Sequence, residues 1–309
     1  MVRYPLLRMA ALAGLWAATA PALAQEPCSR PDALGTSRVM EVNPKGGLKL
    51  GLKSYPQTLA LEKGEVVLTF DDGPLPATTG PILRALDDEC VKATFFLVGR
   101  NAQANPTVVQ REIERGHTVG HHSFSHPLIT MRGLSEAAAK ADMEQGFAAK
   151  ADMEQGFAAD DRAAGGQSGA APRTPFFRYP GFADTPELNA WLASRNVAIF
   201  GADLWASDWV DMTPQKTMEL LLARLDHAGK GIILLHDTRP QTAKMLPALL
   251  RELKTRGYRV VHIVPAKGDA PTALAKAEPG WTSETEANIA KVWPKILAEK
   301  RRLAKGAGR

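Results

Sequence analysis

The sequence predicts an α/β fold of parallel strands: a (β/α) barrel of about seven strands, closed or incomplete, with a doubly wound open sheet as the alternative. Three observations predict it. Short apolar runs alternate with helical patterns from residue 65 to residue 265. Glycines stand where helices would end, at Gly116, Gly229 and Gly257. With 309 residues of ordinary apolar content, the chain can bury one large core.

In chain order, an apolar strand over 66–70 precedes a helix over 81–89. A strand over 93–98 precedes a helix over 106–115, and a short strand over 117–120 leads to a long Ala-rich helix starting near Ser135. Next come a strand over 175–178, a helix over 185–194, a strand over 197–202 and a helix over 213–228. A strand over 231–235, a helix over 242–256 and a strand over 259–264 complete the pattern. One feature breaks its regularity: the decapeptide KADMEQGFAA at 140–149 is repeated without change at 150–159. Ten residues fall about 80° short of three helical turns, so the two copies present different faces. A slippage duplication that lengthens a surface helix or loop is the expected reading, with the Gly-rich stretch 163–171 absorbing the extra length.

The ends differ from this body. Arg3 and Arg8, an apolar run over 9–20 and Ala22-Leu23-Ala24 read as a signal peptide over 1–24, cleaved before Gln25. The competing reading, a membrane anchor, needs a longer apolar run, and no later segment is apolar enough to span. Secretion or a periplasmic location follows. Residues 25–64 read as an N-terminal arm, 65–265 as the catalytic domain and 266–309 as a basic tail. Of the formal charge of +5, the tail carries +4 and the leader +2, which leaves the body at −1. Such a body argues against nucleic acid as a partner. The tail reads as a solvated, partly helical extension, with weak contact to an anionic envelope as its alternative use. Cys28 and Cys90 are expected to form one disulfide in an exported protein, or else to remain as buried thiols.

The chemistry-bearing residues follow strand ends. Asp71 and Asp72 end the first strand in TFDDGP, where adjacent carboxylates need a cation or a role. A capped turn before Gly73-Pro74 is the plain alternative. Four of the seven histidines lie between His117 and His126, and His122 and His126 have the i, i+4 spacing of one helical face. Asp72 with these two gives three protein ligands and an open position, the pattern of a catalytic metal site. His236 ends a later strand in LLHD and can act as a general acid. Arg178 and Gly181-Phe182 follow a fourth strand and Asp208-Trp209 a fifth. Arg178 can hold a carboxylate, Gly181 permits close backbone approach, and Trp209 can stack on a sugar ring.

In this order TFDDGP, HSFSH, FFRYPGF, ASDW and ILLHD resemble the five motifs of the polysaccharide deacetylases, the NodB-homology domain of carbohydrate esterase family 4. The resemblance runs from Glu65 to Val264 and implies a distorted (β/α) barrel. It implies that Asp72, His122 and His126 bind Zn²⁺ or another divalent metal ion, and that Asp71 is the general base for the attacking water. His236 would be the general acid, with Arg178 orienting Asp71 and Asp208 orienting His236. Gly181, Phe182 and Trp209 would contact the acetylated glycan, a backbone N–H near Gly181 helping to stabilise the oxyanion. Three positions depart from the family pattern: Gly181 intervenes before Phe182, Trp205 stands where an Asp is common, and His121 where an Asn is common. The expected function is removal of N-acetyl groups from a GlcNAc-containing polymer: peptidoglycan, a chitin-like chain or an exopolysaccharide. An O-acetyl esterase on xylan-type polymers and a non-catalytic glycan-binding module are the alternatives. A glycoside hydrolase is disfavoured, because it needs two carboxylates spaced across a glycosidic bond.

Overall fold

The computed structural model describes residue 28 and residues 30–157 and 174–306. The leader expected over 1–24 and the Gly-rich stretch 163–171 lie outside the described residues. The central strands are β1 (Thr36–Val42), β2 (Lys49–Leu50), β4 (Glu65–Asp71), β5 (Thr94–Leu97), β6 (Thr118–His121), β7 (Phe176–Phe177), β8 (Ala198–Phe200), β9 (Leu204–Trp205), β10 (Gly231–His236) and β11 (Arg259–Pro265). They form one sheet of ten strands in which every described pairing is parallel. β3 (Gln57–Leu59) pairs antiparallel with β12 (Leu274–Lys276) in a second, small sheet.

Around β4 the sheet branches. β10 runs beside β4 from Val66 to Asp71, β5 pairs with its end and β11 with its beginning. From β5 the order continues through β6, β7 and β8 to β2, while β10 continues to β9. Among the described residues β8 and β9 do not pair, so the ring stays open there: a distorted, incomplete barrel. Beyond the seven expected strands, β9 arises within the 203–212 connection, and β1 and β2 come from the arm. β1 lies beside β11 with Met40 opposite Ile263, and β2 beside β8 with Leu50 opposite Phe200. Their signal is short and interrupted by Gly and Lys, so local pattern hides it.

Helices cover the outside: α1 (Pro76–Asp88), α2 (Gly99–Ala104), α3 (Pro106–Glu114), α4 (Thr130–Gly133), α5 (Glu136–Phe157), α6 (Pro186–Ser194), α7 (Pro214–Ala228), α8 (Pro240–Thr255) and α9 (Glu284–Gly306). Proline opens α1, α3, α6, α7 and α8, where its missing N–H costs nothing and its fixed φ suits the first turn. This is why α1 starts at Pro76, earlier than expected. Thr185 and Thr213 cap α6 and α7 by accepting from the N–H of Leu188 and Lys216.

Period-two alternation along β4 sorts its side chains. Val66, Leu68 and Phe70 join the core under α1, α7 and α8, whereas Val67 joins Phe96, Phe200 and Ile232 inside the barrel. By the same alternation Asp71 belongs to the inner face, at the carboxyl end. Cys28 and Cys90 form a disulfide with Cα atoms 5.8 Å apart, tying the segment before β1 to the end of α1. Cys28→Ser should therefore lower unfolding free energy by about 2–4 kcal/mol, read by thermal or denaturant melts. Divalent-cation binding, distant from this bond, should remain.

Candidate functional site

The site grows from one buried ion pair. Arg178, directly after β7, is fully buried inside the barrel. Its Nη1 donates to Asp71 Oδ1 at 2.7 Å and to Thr69 Oγ1 at 2.8 Å. Nη2 donates to the Gly201 carbonyl at 2.8 Å, Nε donates to the Phe200 carbonyl at 3.2 Å, and the guanidinium lies over the Phe96 ring. A charge without water needs such saturation. Arg178 also works through its backbone: its N–H donates to the His121 carbonyl, and its carbonyl lies 2.7 Å from His122 Nδ1. That contact turns His122 Nε2 toward the carboxylates.

Asp72, His122 and His126 offer three ligand atoms within 4.8 Å of one another. Asp72 Oδ1 is buried without a hydrogen-bond partner and lies 3.4 Å from Nε2 of both histidines. Burial alone would raise the Asp72 carboxyl, but the imidazoles of His122, His236 and His126 outweigh it and hold it well below the ordinary carboxylate range. Burial, with His122 beside it, lowers the His126 imidazole and favours its neutral, ligating form. One carboxylate and two imidazoles suit Zn²⁺ or a similar borderline ion, so the donor set fits the metal expected from sequence.

The two histidines do not sit on a helix, as their spacing had implied. They lie on a loop after β6 in which Ser123 (φ 62°) and His126 (φ 48°) are left-handed, as is Asp72 (φ 80°). Contacts invisible in the motif hold this loop. Asp142 of α5 accepts from the N–H of Phe124 at 2.9 Å and of Ser125 at 3.2 Å. The N–H groups of Gly99 and Arg100, opening α2, donate to the Ser123 and Phe124 carbonyls. A Cβ on Gly146 would meet Ser123 backbone at 2.9 Å, so α5 passes where only glycine fits. Thus the first copy of the decapeptide is a packed brace, not a surface extension. Ala139, Met143 and Phe147 line its buried stripe, and Lys150 continues it with Nζ donating to the Val119 carbonyl.

His236 ends β10, opposite Asp71 of β4 in the parallel register. Asp208, fully buried, accepts from His236 Nδ1 at 2.8 Å, from the His236 N–H at 2.7 Å and from Thr242 Oγ1 at 2.6 Å. Burial acts to lower the imidazole, but Asp208, then Asp72 and Asp71, raise it to about 9. Asp237 beside it turns away: Thr79 Oγ1 donates to its carboxylate, and a Cβ on Gly73 would strike the same group. His121, also buried, meets Phe147 edge-on behind the loop.

A cavity of about 660 Å³ gathers Asp71, Asp72, His122, His126, Gly181, Phe182, Trp209 and His236 on its lining, with Arg178 and Asp208 supporting from behind. Phe182 stacks on Trp205, Trp205 meets Trp209 edge-on, and Trp209 stands 40% exposed beside His236. The opposite contribution comes from the tail. Thr285, Asn288, Ile289 and Lys291 of α9 line the same cavity, so the solvated extension expected over 266–309 is instead partly docked. Arg132 holds Glu286 with two hydrogen bonds of 2.6 and 2.9 Å, and Ser54 Oγ lies 2.9 Å from Thr285 Oγ1. A larger hollow of about 750 Å³ between α6 and the arm holds no comparable acid, base and metal set. Because Asp142 only supports the loop, Asp142→Ala should leave the fold intact yet weaken Zn²⁺ binding about 10–100-fold in a calorimetric titration. Unchanged affinity would remove Asp142 from the support of the loop.

The family model described as polysaccharide deacetylase matches residues 59–155. A peptidoglycan-N-acetylmuramic acid deacetylase, PdaC of Bacillus subtilis, is 31% identical over 199 residues, 64% of this chain but only 38% of its own length. A chitin deacetylase of Colletotrichum lindemuthianum is 30% identical over 229 residues, covering 70% of this chain and 84% of that protein. Among solved structures, the Bdellovibrio bacteriovorus peptidoglycan deacetylase Bd3279 is similar with a TM-score of 0.63 and 28% identity, over 78% of this chain and 62% of that one. Five motifs, their convergence on one cavity and these likenesses lead to one conclusion: the chain belongs to the polysaccharide deacetylase family.

Proposed function

We propose that this chain is a metal-dependent hydrolase that removes N-acetyl groups from a GlcNAc-containing polysaccharide or oligosaccharide. The observation that carries the reading is the meeting, in one cavity, of a fixed carboxylate, an Asp-His-His ligand set and an acid-side histidine backed by a buried aspartate. Zn²⁺ or another divalent cation held by Asp72, His122 and His126 would supply Lewis acidity to the acetyl carbonyl.

The chain's own residues do the rest. Asp71 accepts a proton from the attacking water; Arg178 holds its Oδ1, leaving Oδ2 free for that task. Asp208 binds His236 Nδ1, so Nε2 is the atom that delivers a proton to the departing nitrogen. The C–N bond then breaks, and acetate and a free amine on the sugar leave. An amine departs only when protonated, and an imidazole raised to about 9 stays loaded at neutral pH. Trp209 offers an exposed ring face to a pyranose, with Phe182 and Gly181 nearby. The relatives' names point to peptidoglycan or chitin-like polymers. Their extracytoplasmic setting agrees with export after loss of residues 1–24; no described helix is long and apolar enough to cross a membrane.

Acetate release from N-acetylated chito-oligomers, peptidoglycan and acetylated xylan, with and without chelator, tests the reading. Chelator-sensitive release from an N-acetylated polymer is expected; release from xylan alone would make the enzyme an esterase. Asp71→Asn should keep its metal but lose at least about 10²-fold in kcat. His126→Ala should lose both, as metal analysis beside the same assay would reveal. Asp208→Asn removes the charge that keeps His236 protonated, so the imidazole falls toward about 6.5 or below. The acid is then lost at lower pH, and the alkaline limb of the pH–rate profile should move down by about a unit or more. An unmoved limb would assign that limb to another group.

A further inference from the structure

The outer half of the cavity carries more positive charge than the reaction requires. Its anions are already engaged: Asp71 by Arg178, Asp72 by the histidines and Glu284 by Lys53. Its cations are not. Arg224 of α7 donates only to neutral acceptors, the Trp205 carbonyl and Ser207 Oγ. Arg239, just before α8, forms no ion pair among the described residues, and its Nε is buried with no hydrogen-bond partner. Lys291, on the inner side of α9, also lines the cavity without a described carboxylate partner.

We infer that this rim recognises a carboxylate on the glycan, bound by Arg239 and Lys291, so that the preferred substrate is an acidic N-acetylated glycan rather than a neutral one. The inference rests on the deacetylase reading and narrows its substrate. Arg239 lines the cavity with no carboxylate partner among the described residues, and its planar fork matches a carboxylate with two parallel hydrogen bonds. Three elements converge to set the cations, so the feature belongs to the tertiary structure and not to one basic run. A neutral chito-oligomer offers them only uncharged acceptors, whose hydrogen bonds are weaker than those to a carboxylate. The carboxylate can be carried by the sugar itself, as a lactyl ether, or by a peptide attached to it.

The test compares three probes on the zinc-loaded protein: N-acetylchitotetraose, a GlcNAc–MurNAc tetrasaccharide with free lactyl carboxylates, and the same tetrasaccharide bearing peptide stems. Affinity is measured by calorimetry in Asp71→Asn protein to prevent turnover, and kcat/KM on the unmodified enzyme gives the ratio independently. At least about tenfold preference for an acidic probe is expected, shrinking as salt is added. Preference for the second probe assigns the sugar carboxylate, and preference for the third alone assigns the peptide. Arg239→Gln and Lys291→Gln should each bring the acidic-to-neutral ratio toward one. Equal affinity for all probes, or a ratio unmoved in both variants, overturns the inference. Selective binding with no acetate released from any probe would sustain the rim and sink the deacetylase reading; release without selectivity would do the reverse.

Discussion

A cation buried inside a barrel must be answered by the residues around it, and Arg178 is that cation. It fixes the Asp71 carboxylate through Nη1, ties the end of β7 to the end of β8 through the Phe200 and Gly201 carbonyls, and orients His122 through its own carbonyl. Removing one partner from such a pair typically costs about 3–5 kcal/mol, because the other is left charged and dry. The carboxylate proposed as general base and one of the proposed metal ligands are therefore set by one side chain and its peptide group. β7 is only two residues long, and Arg178 turns inward at its end, where regular pairing stops.

The metal loop is held against local preference. Asp72, Ser123 and His126 adopt left-handed backbone that L-residues rarely take, a cost of about 1–3 kcal/mol each. Surrounding contacts over-determine them. Asn101 Nδ2 donates to the Asp72 carbonyl at 2.7 Å, Ser123 Oγ accepts from the His126 N–H at 3.1 Å, and Asp142 holds the residues between. The brace comes from the first copy of a duplicated segment. Its contacts with the loop come from Asp142 and Gly146, within that first copy.

Both ends of the chain complete the site. The arm adds β1 and β2 to the sheet, and β3 and β12 join arm to tail. That clasp delivers α9 to the cavity rim, where Arg132 and Ser54 secure it. The aromatic side, with Trp209 and Phe182, suits sugar faces; the α7, α8 and α9 side brings unmatched cations. The residues that carry the proposed chemistry thus sit beneath a rim built from three separate helical segments.

The residues that gather at the candidate site were legible in the sequence because their motifs are short and local. Asp71-Asp72, His122 and His126, Arg178, Asp208 and His236 each follow a strand, and a parallel fold sends all such positions to one end. Most of the longer crossover helices were legible too, with glycines at the stops, although α1 begins at Pro76 rather than Pro81 and the short α2 and α4 were not expected. Hidden from the sequence were Asp142 and Gly146, which look like any residues of an Ala-rich helix, and the short strands of the arm. Hidden too was the inward face of α9, because a basic amphipathic segment reads the same whether solvated or docked. By itself the sequence determined which atoms can bind a metal and move protons, as those depend on residue type and spacing. Only the tertiary structure decided how the loop is braced, which cations lack partners and what walls the cavity, as those depend on contacts between segments far apart along the chain.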